Sequence, residues 1–112
     1  RDIKMKQSEA IRIHNEAVEL AQKATAKYLE EHGDDFPCGF AGVKIKPATQ
    51  SFARQLKKAG IVDQKAWNGG YDIWNPSGNR TQSENAKFSG AIAYANFLRD
   101  NGVNCNAWSK ID

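Results

Sequence analysis

Residues 8–31 place apolar or small side chains at Ala10, Ala17, Val18, Ala21, Ala24, Tyr28 and Leu29. This spacing keeps returning to one face of a helix with 3.6 residues per turn. It predicts a long amphipathic helix, with His32 suited to the negative helix end and Gly33 as the stop, before Asp34, Asp35 and Pro37 break the pattern. Residues 38–46 then alternate, with Ala41, Val43 and Ile45 on one side and Phe40, Gly42, Lys44 and Lys46 on the other, the signature of a half-buried strand. Pro47 opens a short helix through Ala59, with Phe52, Ala53, Leu56 and Ala59 inward and Arg54, Lys57 and Lys58 outward.

Asn68-Gly69-Gly70 marks residues 61–70 as a loop, and residues 71–75 read as a short strand followed by a turn at Pro76-Ser77-Gly78-Asn79. Thr81-Gln82-Ser83-Glu84 fits a capping box. The third helix it opens runs to about Asn101, with Phe88, Ala91, Ile92, Ala95 and Leu98 along one face. Residues 103–109 alternate again, Val103, Cys105 and Ala107 against Asn104, Asn106 and Trp108. The order is α-β-α-β-α-β. It predicts an α/β or α+β fold of two layers, a three-stranded sheet packed by three helices, with some parallel pairing because a helix separates consecutive strands.

At 112 residues the chain is expected to form one domain without staples, and Met5 reads as its natural start, with residues 1–4 as an addition ahead of it. It has neither an apolar run of spanning length nor a leader-like segment, so a cytoplasmic protein with no membrane role is expected. Cys38 and Cys105 then read as reduced thiols, with one disulfide as the alternative in an exported protein, and no metal or cofactor is expected: with His14 and His32 they lack any paired ligand spacing. Charge is unevenly placed. Residues 44–65 carry Lys44, Lys46, Arg54, Lys57, Lys58 and Lys65 against Asp63 alone, net +5 in a chain of +3. A zone of that kind serves either as a solvated surface or as a site for phosphates, nucleic acid or an acidic protein face.

Three candidate sites follow. If the apolar strand positions face the helices, the other sheet face shows Phe40, Lys44, Lys46, Asp72, Trp74, Asn104, Asn106 and Trp108, a surface able to anchor a protein partner or stack bases, or one that another element covers so that the tryptophans are core; Trp67, in the loop, is a further exposed aromatic. Gly78, Arg80 and Thr81 enter the third helix and would hold a nucleotide or other small anion at its N-terminus, although a turn and a cap also explain them. His14 and Cys38 would make a nucleophile pair only if the fold brought them together; a semi-buried histidine and a small buried cysteine explain them as well. Glu30, Glu31, Asp34 and Asp35 read as a solvated acidic edge, able to meet the basic zone of a second copy in a homo-oligomer.

Four blocks, Pro37-Cys38-Gly39-Phe40-Ala41-Gly42-Val43, Gly69 through Gly78, Thr81-Gln82-Ser83 with Lys87, and Ser109-Lys110-Ile111-Asp112, together resemble a group of small bacteriophage and prophage proteins. The resemblance covers nearly all the chain after Met5. It differs from the group at Gly42, where an aromatic is common, and at Lys110, where Arg is common; the latter keeps charge but loses planar bidentate geometry. The resemblance implies a phage origin and carries no chemistry of its own. Small phage proteins without a catalytic constellation often bind host machinery, so a non-enzymatic accessory protein that inhibits a host protein or nucleoprotein complex, including one of host defence, is the leading expectation. Single-stranded nucleic-acid binding on the sheet face and a nucleotide-signal site at Arg80 are the alternatives.

Overall fold

Small residues dominate the buried faces of the helices, and this sets how closely the elements approach. The computed structural model describes residues 2–62 and 69–112. It contains α1 (Gln7–His32), β1 (Gly39–Ile45), α2 (Ser51–Lys58), β2 (Tyr71–Trp74), α3 (Glu84–Asp100) and β3 (Cys105–Ile111), an α+β arrangement in the expected order. Along α1 the buried side chains are Ala10, Ile13, Ala17, Ala21 and Thr25, a stripe at nearly every fourth residue. Gly33, with φ of +73°, ends it. α3 lies across β1 and β3, while α1 packs along α3 and against α2. The two long helices approach closely where Gly90 meets Ala21, Thr25 and Ser77.

The sheet order is β2-β1-β3 and every neighbouring pair is antiparallel, which corrects the expected parallel pairing. β2 and β3 do run in the same direction, connected through α3, but β1 is inserted between them. The physical reason lies in the first crossover: it leaves β1 after Ile45 and returns at Tyr71, which pairs with Ile45, so β2 starts at the end where β1 finished. One core joins the layers, with Val43, Ile45, Phe52, Leu56, Tyr94 and Leu98 among its buried members.

Several boundaries shift from the sequence pattern. α2 begins at Ser51 rather than Pro47, because Gln50 turns inward: its side-chain amide donates to the carbonyls of Pro47 and Asn104 (3.2 and 2.9 Å), and its Oε1 accepts from the Asn104 N–H (2.8 Å). β3 begins two residues later than the alternation suggested, and Ile92 on α3 is exposed. Residues 2–5 are tied to α2: Asp2 accepts from the Ser51 N–H, and the Met5 N–H donates to Ser51 Oγ, both at 2.9 Å. No helix among the described residues is long and apolar enough to cross a membrane.

The cap of α3 is Ser83, not Thr81. Its Oγ accepts from the Ala86 N–H (3.1 Å) and donates to Asp35 Oδ1 (2.5 Å), with no exposure to solvent. Ser83→Ala is expected to cost about 1 kcal/mol, the usual worth of an N-cap, seen as a Tm lower by roughly 5 °C. An unchanged melting curve would show that Asp35 or water replaces the lost oxygen.

Candidate functional site: the open sheet face

Alternation along three strands decides which side chains stand on the sheet face away from the helices. Ala41, Val43, Ile45, Tyr71, Ile73 and Cys105 are buried on the helix side. Register then places the remaining residues in rows. Trp74 and Trp108 flank Gly42, Asp72 and Asn106 flank Lys44, and Lys110 stands opposite Phe40.

Gly42 makes the central row possible. A β-carbon there would lie 2.7 Å from Trp108 Cζ2 and 2.8 Å from the Ile73 carbonyl, so the indole of Trp108 rests directly on the bare backbone of β1. Lying across that strand, it reaches β2, where its Nε1–H donates to Asp72 Oδ1 (3.3 Å). Trp74 sits against it with ring centroids 5.1 Å apart, and Phe40 follows at 5.5 Å from Trp74. Such tilted pairs are the favoured arrangement of aromatic rings. Trp74 remains 60% exposed. The result is an aromatic row spanning the sheet from one edge strand to the other.

Lysines surround the row. Lys87 comes from the first turns of α3, its Nζ donating to the Gly39 carbonyl (2.8 Å) and lying 5.4 Å from the Phe40 ring centre, a cation–π contact. Lys110 stands beside Phe40 by register, and Lys44 and Lys46 continue the face toward the far end of β1. There a concavity of about 550 Å³ is lined by Lys44, Lys46, Pro47, Asn104, Asn106 and Trp108. Sequence reasoning placed Phe40, Trp74, Trp108, Lys44 and Lys46 on this face. It missed Lys87, Lys110 and the seat provided by Gly42; the two-residue period linking Phe40, Gly42 and Lys44 was the available signal.

The basic zone is divided. Lys44 and Lys46 belong to the open face, whereas Arg54, Lys57 and Lys58 are exposed on α2, the helix packed on α1. Lys65 and Trp67 lie outside the described residues.

The anion expected at the start of α3 is supplied by the chain itself. One oxygen of Asp34 accepts from the N–H groups of Gln82 and Ser83 (both 3.1 Å) and from the Thr81 hydroxyl, while the Thr81 N–H goes to Asn79 Oδ1 (2.8 Å). Gly78 and Arg80 are exposed beside this arrangement. Asp34 and Asp35 therefore serve as ligands of the helix end, a role their reading as part of a solvated acidic edge did not include, while Asp34 stays exposed.

His14 and Cys38 are each committed elsewhere: His14 Nδ1 is 2.7 Å from the buried Tyr94 hydroxyl, and Cys38 Sγ is 3.5 Å from Gln82 Oε1. Both cysteines are free thiols. Burial pushes Cys105 up to about 11 and Tyr94 well above the usual phenol range. Among the described residues, no three His, Cys, Asp or Glu side chains are grouped to hold a metal.

Burial lowers the pKa of His14 below 6.5. Hydrogen bonds, chiefly from Thr81 to Asp34 and from Ser83 to Asp35, lower those carboxyls below 3.8. In each case the unfolded chain binds the proton more readily, so the stabilisation is present above the unfolded pKa and is lost as pH falls through the folded one. Tm is expected to decline first below about pH 6.5, where an unfolded imidazole protonates, and again below about pH 4, where unfolded carboxyls do. His14→Asn removes the first decline and keeps the second; a parent Tm that stays flat from neutral to mildly acidic pH would contradict the assignment to His14. No family model, no curated protein and no solved structure matches this chain.

Proposed function

We propose that this chain is a non-enzymatic phage accessory protein that binds a host protein or nucleoprotein complex through the open sheet face. The observation that carries the reading is the row of Phe40, Trp74 and Trp108, with Trp74 60% exposed on a face that no helix among the described residues covers. Folding alone does not require a large indole in water. A tryptophan held by neighbouring rings loses little further freedom on binding, which suits a docking anchor. The lysines of the face favour an acidic partner and speed its encounter.

Single-stranded nucleic acid is the second reading, and the same rings favour it, because an exposed indole beside lysines can stack a base while the cations meet phosphates.

The test is capture from host lysate, with and without nuclease, by the parent and by Trp74→Ala. A protein retained in stoichiometric amount after nuclease by the parent and lost by the variant supports docking. Recovery of oligonucleotide, with indole fluorescence quenched in a salt-sensitive titration, supports the second reading. Equal capture by both baits overturns the role of the face.

A further inference from the structure

We propose that the outer edge of β3 pairs with β3 of a second copy, joining two three-stranded sheets into one six-stranded sheet. This goes beyond the docking reading and does not depend on it.

The argument begins with which backbone groups β3 leaves unused. Its register with β1 continues past both strand ends, where the Lys46 N–H donates to the Asn104 carbonyl (3.3 Å) and the Asp112 N–H to the Cys38 carbonyl (3.0 Å). Hydrogen-bonded pairs recur every second residue in an antiparallel ladder. Asn106, Trp108 and Lys110 therefore bond to β1, while Cys105, Ala107, Ser109 and Ile111 direct their N–H and C=O groups outward. The Asn75 N–H donating to the Ala41 carbonyl (2.9 Å) gives β1 the complementary parity toward β2, as a central strand requires. Of the outward groups, the Cys105 carbonyl is already taken by Arg99 Nη1 (2.8 Å). Among the described residues nothing bonds those of Ala107, Ser109 and Ile111.

An edge of this kind is usually blunted by a proline, a bulge, short length or charged side chains. β3 has no proline or bulge and keeps its register with β1 for seven residues, and its one charged side chain, Lys110, stands on the open face beside Phe40. The opposite edge differs, since β2 has four residues, directs only Asp72 and Trp74 outward by the same parity, and faces Ile61 and Val62 across a concavity.

The free groups select one register. Ser109 opposite Ser109 of the second copy, on the two-fold axis, uses the outward N–H and C=O of Ala107, Ser109 and Ile111 and leaves the Arg99 cap on Cys105 intact. Registers shifted toward Cys105 require that occupied carbonyl. In the selected register the side chains also match. Lys110 faces the second copy's Trp108, a cation beside an indole. Ile111, 61% exposed, faces Ala107, and Asp112 faces Asn106. A second copy is thus a better occupant than an arbitrary strand, and its dyad keeps both aromatic rows on the same side of the joined sheet.

The test is sedimentation of the full chain over a wide concentration range, with residue-resolved amide exchange. The parent is expected to pass reversibly from 12.4 kDa to twice that mass. Amides of Ala107, Ser109 and Ile111 should become protected as it does, while those of Trp108 and Lys110 are protected throughout. Ser109→Pro removes only an outward N–H, a position where edge strands tolerate proline, and is expected to stay at the lower mass. Ser109→Lys, an exposed change that sets like charges opposite each other on the dyad, is expected to weaken association about two- to fivefold and carries the test if the proline variant fails to fold. A parent that remains at the lower mass at every concentration, or a doubling that leaves the three amides unprotected or that Ser109→Lys does not weaken, overturns the proposal.

Discussion

Gly90→Val is expected to lower Tm by roughly 10 °C or more, from an overpacking cost of about 2–4 kcal/mol. The site has little room to yield. A β-carbon at Gly90 would stand 3.1 Å from the Ala21 carbonyl and 3.2 Å from Ser77 Cβ, and closer still to Thr25 Oγ1. The first neighbour is backbone of α1. Thr25 is buried with its hydroxyl donating to the Ala86 carbonyl of α3 (2.8 Å), so moving it breaks a bond that fastens the two helices together. Gly90→Ala should be milder, because the better helix propensity of alanine returns about 1 kcal/mol. Thermal melts followed by circular dichroism compare the three chains, and equal Tm values would show that α1 and α3 separate at the crossing without cost.

The elements of this fold were legible because most bury one periodic face, although α3 meets both the sheet and α1. α1 appeared within one residue of its observed ends, since its apolar stripe and Gly33 are local features. The inward and outward sides of β1 were also legible, because a period of two admits only two assignments. Strand neighbours were not: alternation says which way Val43 or Ile73 points and nothing about which strand lies beside which. A helix between two strands implied that they run the same way; this holds for β2 and β3, which do not touch, and fails for β1 and β2, antiparallel neighbours with α2 between them.

The candidate sites divide along the same line. The open face depends on side-chain parity and was visible in Phe40, Trp74 and Trp108. The N-terminus of α3 depends on what occupies it, and its occupant, Asp34, is far away in sequence. Residues 37–43, 81–87 and 109–112 largely meet at one corner of the molecule. The Glu84 N–H donates to the Pro37 carbonyl, the Gly39 N–H to the Gln82 carbonyl and the Asp112 N–H to the Cys38 carbonyl, each at 3.0 Å, and Lys87 reaches the Gly39 carbonyl. These residues are accounted for by the joining of β1, β3 and α3. Trp74, outside them, is not accounted for by folding alone.

Trp74→Ala is therefore the substitution that separates the face from the fold. Its ring lies on the surface, 60% exposed and touching Phe40 and Trp108, so its loss removes two aromatic contacts at the low end of about 0.5–1.5 kcal/mol each and opens no enclosed cavity. Stability should fall by about 1 kcal/mol, roughly 5 °C in Tm. Binding should change much more: a central indole anchor commonly contributes 2 kcal/mol or more, about 30-fold in Kd. Lys46→Glu, at the lysine-lined end of the same face, should act differently, slowing association and flattening its salt dependence while leaving dissociation nearly unchanged. Interferometry with the captured partner, at two salt concentrations, resolves the two effects. A Trp74→Ala chain that melts within several degrees of the parent but binds at least 30-fold more weakly makes the aromatic row the docking anchor. Unaltered affinity would remove the open face from the account and turn attention to the cations of α2.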